Sequence, residues 1–195
     1  MIDKKNITGI ILAGGKSSRM GSDKGFLMFN GKPFVQHIID AMTGFVSEIL
    51  IVSNNPDYDT FGLKRVNDII ENAGPLAGIY SGLNVSKTKY NLILSCDVPL
   101  ITSNILKKLI DETSNDDADI VQVESQGKAM PLIAIYKNSC KEIFFSLLKK
   151  GEKRLQFAVN QCKVKSIILN SQDEKSTINV NTPEELKTIE NEHSY

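Results

Sequence analysis

The stretch ITGIILAGGKSSRMGSDKG, residues 7–25, decides how the chain begins to fold. Its first part is a run of apolar residues, which is typical of a strand covered on both faces. Its second part holds glycine, serine and basic residues, which allow backbone amides and cations to approach a ligand closely. The stretch therefore predicts a strand followed by a phosphate-binding loop. A mobile loop that is basic without binding anything has the same composition.

The rest of the chain repeats this alternation of apolar runs and segments of helical period. The apolar runs, which predict strands, lie at residues 7–12, 49–53, 91–95, 120–124, 132–136 and 164–169. The segments of helical period lie at residues 33–46, 76–85, 105–110 and 143–148. A last helix is predicted where Thr182 supplies an N-cap, Pro183 a first-turn proline and Glu185 a capping-box acid.

Strands that alternate with helices predict an α/β fold, a three-layer α/β/α sandwich on a mostly parallel, Rossmann-like sheet. We expect residues 1–195 to form a single domain, because the one charge-dense break, residues 113–119, is only long enough for a loop. Ligands of such sheets bind at the carboxyl ends of the strands. The glycine loop follows the first strand at such an end.

Composition limits the classes of function. Among 195 residues, 23 lysines and arginines balance 23 acids, so no overall charge favours a nucleic acid or an anionic membrane as partner. No apolar run approaches the roughly 20 residues that span a bilayer, and no signal peptide is recognisable. Cys96, Cys140 and Cys162 are far apart, which argues against a zinc knuckle, a redox dithiol or a disulfide framework. These features predict a cytoplasmic protein in a reducing compartment.

Two common phosphate motifs are absent. A Walker A loop needs a glycine five positions before Gly15-Lys16-Ser17, where Ile10 stands. A Rossmann GxGxxG fingerprint is excluded because Gly14 and Gly15 are adjacent.

The stretch instead resembles LAGGxSxRMGxDK, the motif of nucleotidyltransferases and in particular of molybdenum cofactor guanylyltransferases. The residues in register run from Leu12 to Lys24, and the tripeptide GKP follows at residues 31–33. Three later segments are similar to family motifs, namely NAGPLAGIYSGL at residues 72–83, LSCDVPLI at residues 94–101 and INVNTPEEL at residues 178–186. The resemblance covers nearly the whole chain and implies a fold of the nucleotide-diphospho-sugar transferase type.

The resemblance also implies a reaction. The terminal phosphate of molybdopterin attacks the α-phosphorus of GTP, pyrophosphate leaves, and a guanine dinucleotide form of the cofactor results. Mg²⁺ is the implied cofactor, because phosphoryl-type transfer depends on positioning and on neutralising charge. The implied partners are GTP and molybdopterin, with transient contacts to molybdenum cofactor carrier proteins or apo-molybdoenzymes, and neither nucleic acid nor a membrane.

Site residues follow from the matched positions. Lys24, Asp97 and Arg19 are the catalytic candidates, and Asp97 is the candidate metal ligand. The nucleotide-binding candidates are Leu12, Ala13, Gly14, Gly15, Lys24, Asn55, Asp68 and Asp97. The residues support Asp97 independently, because it follows an apolar strand and its carboxylate should emerge beside the glycine loop. An aspartate before Val-Pro-Leu can also simply shape a turn, and Arg19 can be a surface ion pair.

Other positions stay open. Asn54 is as suitable as Asn55 for a contact to the nucleotide, and the helix entry at Gly74 can be an ordinary turn. Asn179 and Asn181 either lie near the metal and the pterin or support the turn before Thr182. Arg154 either contacts a pterin phosphate or lies in a solvated turn. We interpret His37, His193 and Cys96 as structural or solvated.

Alternative functions share the loop and the acid. A molybdopterin cytidylyltransferase or a sugar-phosphate nucleotidyltransferase would differ in the acceptor pocket or the base, and a non-catalytic nucleotide-binding regulator would have lost catalysis. The presence of both Lys24 and Asp97 argues against the regulator. Within the resemblance, guanylyl enzymes carry LAGG and cytidylyl enzymes tend to carry LAAG, so Gly14 favours guanine.

Overall fold

The computed structural model describes residues 2–14, 23–70 and 73–192, with only the backbone of residue 192. Its strands are β1 (Ile7–Leu12), β2 (Met28–Phe29), β3 (Lys32–Pro33), β4 (Glu48–Val52), β5 (Lys64–Val66), β6 (Tyr90–Ser95), β7 (Ile120–Ser125), β8 (Lys128–Lys137) and β9 (Val164–Ile168). Its helices are α1 (Phe34–Met42), α2 (Gly74–Val85), α3 (Ser103–Asn115), α4 (Cys140–Lys149), α5 (Leu155–Val159), α6 (Ser171–Glu174) and α7 (Pro183–Glu192). Four 3₁₀ turns join them, at Lys4–Asn6, Lys24–Phe26, Pro56–Phe61 and Lys175–Thr177 within the described residues.

Seven strands form the main sheet in the order β5-β4-β1-β6-β8-β7-β9, and β2 pairs with β3 in a separate hairpin. The pairs β1 with β4, β1 with β6, β4 with β5 and β7 with β9 are parallel. Strand β8 runs antiparallel to both of its neighbours, β6 and β7. The predicted mostly parallel sheet is confirmed, and β8 is a departure from the strict alternation of strand and helix.

The sheet is covered on both faces. Ile11 belongs to one core together with residues of α1 and α3, whereas its neighbour Ile10 belongs to a second core with residues of α2, α4 and α5. Successive residues of a strand point to opposite faces, so a run of consecutive apolar residues is what a doubly covered strand requires. The three predicted layers are confirmed.

Local sequence explains several boundaries. At the start of α7, the Glu185 amide donates to Thr182 Oγ1 at 3.2 Å and the Thr182 amide donates to Glu185 Oε2 at 3.1 Å, which is the predicted capping box. Between β7 and β8 the chain turns at Gln126 and Gly127, with φ of 52° and 70°. Two consecutive positive φ angles are typical of a tight hairpin turn, which is why β8 reverses direction.

The structure corrects some details of the prediction. Thr113–Asn115, which we expected in a loop, form the last turn of α3. The short elements β2, β3, β5, α5 and α6 were not predicted, because two to five residues carry too little periodicity. In the described ranges, no helix combines the length and apolar character needed to cross a membrane.

Candidate active site

The carboxyl ends of β1, β4 and β6 meet at one edge of the sheet. Beyond the strands the pairing continues, because the Ala13 amide donates to the Val52 carbonyl at 3.0 Å and the Cys96 amide donates to the Leu12 carbonyl at 3.1 Å. These bonds fix the two residues that come next along the chain, Gly14 after β1 and Asp97 after β6. The predicted position of Asp97 at this edge is confirmed.

Asp97 lies at the meeting point of three segments that are distant in sequence. The ammonium nitrogen of Lys24 is 3.6 Å from Asp97 Oδ2 and also donates to the side-chain oxygen of Asn181. The Val180 amide donates to the Asp97 carbonyl at 2.8 Å, which holds the strand-like segment before α7 against the end of β6. The side chains of Lys24 and Asp97 are 23% and 16% exposed, so both are sheltered and still accessible to a ligand.

The second carboxylate oxygen of Asp97 lies in an environment that favours the binding of a cation or a hydrogen-bond donor. Oδ1 of Asp97 is buried and has no hydrogen-bond partner among the described residues. A buried carboxylate oxygen without a partner costs free energy, so an arriving cation or donor would remove that cost. In the described part of the chain, no group of three or more histidine, cysteine, aspartate or glutamate side chains is placed to hold a metal ion.

A cavity of about 240 Å³ lies on the β1 side of Asp97. Its lining residues are Leu12, Gly14, Val52, Asp68, Gly74, Pro75, Gly78, Ser95, Asp97 and Leu132. Asp68 faces two glycines there, because Cβ atoms on Gly14 and Gly78 would lie 3.8 and 3.6 Å from its carboxylate oxygens. Burial raises the pKa of Asp68, and its Oδ1 has no partner in the described residues. This cavity therefore offers a half-buried carboxyl group, with one buried oxygen, beside glycine-lined walls.

A larger cavity of about 660 Å³ lies on the other side of Asp97, against β8 and the segment before α7. Asn179, Asn181 and Glu185 line it, and Ser95, Asp97 and Leu132 line both cavities. Leu132 reaches this position because the register of β8 shifts against β7, with Gln122 opposite Ala134 and Val123 opposite Met130. A bulge of this kind re-aims side chains at the edge of a sheet. The two cavities thus meet at Asp97.

A compact hydrogen-bonded cluster supports the turn that carries Lys24. Asp23 caps the turn by accepting from the Gly25 amide at 3.2 Å, and it also accepts from the hydroxyl of Tyr58 at 2.6 Å and from the side-chain amide of Asn55 at 3.1 Å. Tyr58 is fully buried, and burial, with the hydrogen bond to Asp23, raises the pKa of its hydroxyl. Asp23 lies within the motif matched at residues 12–24, whereas no sequence pattern singled out Tyr58 or Gly25. An aspartate two residues before a glycine is typical of such a side-chain cap, and that pattern was the available signal.

The predicted nucleotide-binding residues fall into three groups. Leu12, Gly14, Asp68 and Asp97 line the smaller cavity, and Lys24 reaches Asp97. Ala13 is 2% exposed and extends the strand pairing. Gly15 and Arg19, like Lys16, lie outside the described residues.

The two asparagines after β4 have separate roles. Asn54 accepts from the Asp68 amide at 2.9 Å, and Asn55 caps the 3₁₀ turn Pro56–Phe61 while donating to Asp23. Asn54 therefore positions the backbone of the cavity-lining Asp68, whereas Asn55 belongs to the cluster under Lys24. The contact of Asn55 with the nucleotide stays a prediction, with Asn54 as the alternative.

Other charged residues of the sequence analysis lie away from the cavities. Lys32, the lysine of the tripeptide GKP, pairs with Asp40 at 2.7 Å beside α1. Arg154 pairs with Glu152, lowers the pKa of that carboxyl to about 2, and lies 5.0 Å from the ring of Phe157. His37 contacts the Phe29 carbonyl at 2.8 Å, as a structural histidine should.

Comparison with known proteins identifies the family of this fold and site. A family model described as a MobA-like NTP transferase domain matches residues 9–182. The chain belongs to the MobA-like NTP transferase family. The match includes residues 9–12 of β1, the turn of Lys24, Asp97 and the segment before α7, so these parts of the site lie within the NTP transferase domain.

Individual relatives agree with this assignment. A Flavobacterium johnsoniae protein named "Probable molybdenum cofactor guanylyltransferase" is 36% identical over 187 residues, covering 95% of this chain and 97% of the relative. A "Molybdenum cofactor guanylyltransferase" of Polynucleobacter asymbioticus is 35% identical, covering 97% and 98%. The crystal structure of molybdopterin-guanine dinucleotide biosynthesis protein A from Archaeoglobus fulgidus superposes with a TM-score of 0.82 at 20% identity, covering 96% and 98% of the two chains, which shows the shared fold. The resemblance to molybdenum cofactor guanylyltransferases is confirmed, and nucleotidyl transfer is the activity class of this MobA-like NTP transferase.

Proposed function

We propose that the protein transfers the GMP group of GTP to the terminal phosphate of molybdopterin in a reaction that depends on Mg²⁺. A phosphate oxygen of the pterin attacks the α-phosphorus, the bond from that phosphorus to the bridging oxygen of the β-phosphate breaks, and pyrophosphate leaves with the bonding electrons. The observation that carries the proposal is the junction of two cavities at Asp97 and Lys24, within a chain whose relatives are named guanylyltransferases.

The two cavities suit the two substrates. The smaller one has a half-buried carboxyl group, Asp68, whose buried Oδ1 can accept hydrogen bonds from the donor groups of a guanosine. The larger one has the volume and the polar lining for a bulkier acceptor, with amide groups at Asn179 and Asn181. Substrates bound in this way would bring the pterin phosphate and the α-phosphate of GTP together beside Asp97. Holding two reactants in attack geometry is a large part of catalysis for phosphoryl transfer.

Lys24 supplies positive charge at this junction. The ammonium group already contacts Asp97 and Asn181, one from each of the two segments that border the reaction site. A cation fixed there interacts with the triphosphate on binding and more strongly with the charge that grows on the departing pyrophosphate.

The oxygen donors at Asp97 fit Mg²⁺. The unpartnered Oδ1 of Asp97 is a hard oxygen ligand. The side-chain amide oxygen of Asn181 lies nearby, because it accepts a hydrogen bond from Lys24, which also contacts Asp97. Mg²⁺ is commonly held by one or two carboxylates together with substrate phosphates, which agrees with a site that has a single carboxylate at its centre. When bound, the ion would supply charge neutralisation on the α-phosphate. Asp97 would orient it, and Lys24 would balance the remaining negative charge.

We further propose that the protein works in the reducing environment of the cytoplasm and passes its product to carrier proteins or apo-molybdoenzymes. Its three cysteines are free thiols, which supports a reducing compartment.

The test is a reconstituted reaction with purified protein, GTP, Mg²⁺ and molybdopterin. We expect pyrophosphate and the guanine dinucleotide in equal amounts, no product in the presence of EDTA, and no product when a hexose 1-phosphate replaces the pterin. Product from the sugar phosphate alone would favour a sugar-phosphate nucleotidyltransferase. Nucleotide binding without turnover on any acceptor would favour a non-catalytic regulator.

A further inference from the structure

The turn that carries Lys24 is built against a buried tyrosine. Tyr58 lies in the 3₁₀ turn between β4 and β5, is fully buried, and packs its ring 4.6 Å from that of Phe26. Its hydroxyl donates to Asp23 Oδ1 at 2.6 Å. A short hydrogen bond from a buried hydroxyl to a carboxylate is among the stronger neutral-to-charged contacts in proteins.

The contact reaches the backbone on both sides of Lys24. Asp23 precedes Lys24 and its carboxylate accepts from the amide of Gly25, which follows Lys24. Gly25 also lies directly against the tyrosine, because a Cβ on this glycine would be 2.1 Å from the Tyr58 hydroxyl oxygen. Asn55 donates to the other oxygen of Asp23 at 3.1 Å. The position of the lysine backbone is therefore set by groups buried beneath it.

We propose that Tyr58 is a positioning residue for Lys24, which it holds, through Asp23, in the place from which the ammonium group meets the triphosphate. This inference rests on the proposed function and adds a residue to it. A side chain that only filled the core here could be a phenylalanine, because a buried tyrosine hydroxyl must find a hydrogen-bond partner. The hydroxyl is instead directed at the one carboxylate that caps the turn of Lys24.

The test compares Tyr58→Phe with wild type in the reconstituted reaction. The ring and its packing remain, and only the hydrogen bond to Asp23 is lost. We expect kcat to fall about tenfold, since small displacements of a charged group in the transition state are costly, while KM for molybdopterin stays within about twofold.

The Lys24→Ala background distinguishes a positioning role of Tyr58 from a merely structural one. If Tyr58 acts through Lys24, then Tyr58→Phe lowers kcat no further in the Lys24→Ala background. Tyr136→Phe is the matched control, because Tyr136 is also fully buried and its hydroxyl donates to the Pro131 carbonyl at 2.8 Å rather than to the turn of Lys24. Its effect on kcat, whatever its size, should be the same in both backgrounds. Equal fold-losses from Tyr58→Phe in both backgrounds would overturn the proposal.

A second variant covers the case in which Tyr58→Phe does not fold. Asp23→Ser keeps a capping oxygen for the Gly25 amide and is too short to reach the tyrosine, so it should lower kcat as Tyr58→Phe does. Wild-type kcat in either folded variant would contradict the inference. An inactive wild-type protein would instead contradict the proposed function, so the two failures are distinguishable.

Discussion

Lys24 and Asp97 lie 3.6 Å apart, and their environments suit the separate roles that we propose for them. The lysine has its charge directed to both Asp97 and Asn181, as a group that neutralises phosphate charge requires. Asp97 keeps one buried oxygen without a partner among the described residues, as a metal ligand requires. Substitutions at both positions should therefore lower turnover, and only the substitution of Lys24 should also raise KM for GTP through the lost charge.

Asp97→Asn should leave the protein folded and lower turnover by roughly a hundredfold or more, because a neutral amide binds Mg²⁺ poorly. The backbone bond from Val180 to the carbonyl of residue 97 does not depend on the side chain, so the site should keep its shape. Steady-state rates over a Mg²⁺ titration check this. Wild-type turnover at ordinary Mg²⁺ would show that Asp97 is not the metal ligand.

Lys24→Ala should raise KM for GTP and lower kcat, because one cation serves both the bound triphosphate and the leaving pyrophosphate. Lys32→Ala is a suitable control, since Lys32 pairs with Asp40 on the surface and should leave both constants within about twofold of wild type. From the sequence motif, Lys16→Ala should also matter less than Lys24→Ala. A larger kinetic defect at Lys16 or Lys32 would contradict the assignment.

Gly14→Ala should fold normally, because the added Cβ would lie 3.8 Å from Asp68, an ordinary contact distance. The methyl group takes space in the smaller cavity, next to the carboxyl group that we assign to guanosine. One methyl group changes discrimination by about 1–3 kcal/mol, so the preference for GTP over CTP should be partly lost. The ratio of kcat/KM values for the two nucleotides measures this loss. An unchanged ratio would place the base elsewhere.

Site residues that directly follow a recognisable element, such as Asp97 after an apolar strand, could be predicted from the sequence. The hydrogen-bonded cluster under Lys24 could not be predicted, because the contact from Tyr58 to Asp23 joins residues with no periodic relation in the sequence. For the same reason no choice between Asn54 and Asn55 was possible from the sequence, although the structure directs the first to Asp68 and the second to Asp23.

Helix α2 connects the smaller cavity to the core through two glycines one turn apart. A Cβ on Gly82 would lie 2.7 Å from Ile10 of β1, closer than packed atoms allow, whereas a Cβ on Gly78 would lie 3.4 Å from Leu12 and 3.6 Å from Asp68. The same substitution should therefore act on packing at one position and on the cavity at the other.

Gly82→Ala should destabilise the protein by about 1–3 kcal/mol, because α2 must move away from β1. Gly78→Ala should be neutral or slightly stabilising, since alanine is a better helix former, but should raise KM for GTP by filling the cavity. Thermal or urea unfolding together with nucleotide kinetics separates the two effects. Equal stability of the two variants would show that α2 packs less closely on β1 than described.

At the level of elements, long periodic segments were predictable and short ones were not. The capping box of α7 and the doubly covered strand β1 follow from local patterns that tertiary contacts do not override. The antiparallel direction of β8 depends on the Gln126-Gly127 turn, which composition alone did not indicate. That reversal helps to form the site, because it places the first half of β8, with Leu132, at the edge where both cavities open.

The stability of the whole molecule should respond to pH through Asp68. Burial raises its pKa above the ordinary value of 3.8, so the folded state holds the proton more tightly than the unfolded chain does. The carboxyl group then costs stability above its raised pKa, and that cost disappears as the pH falls below 3.8. Asp68→Asn should have a higher Tm than wild type near pH 7 and an equal Tm at pH 3. A difference that grows toward low pH would contradict the sign of the shift.

In the proposed reaction the two cavities at Asp97 take GTP and molybdopterin together. A competition tests this, in which wild-type protein receives molybdopterin, Mg²⁺ and all four ribonucleoside triphosphates at equal concentration, with products identified by mass spectrometry. We expect the guanine dinucleotide to predominate and chelation of Mg²⁺ to abolish it. Predominance of the cytosine dinucleotide would contradict the assignment of guanine, and the absence of any pterin dinucleotide would contradict the proposed reaction itself.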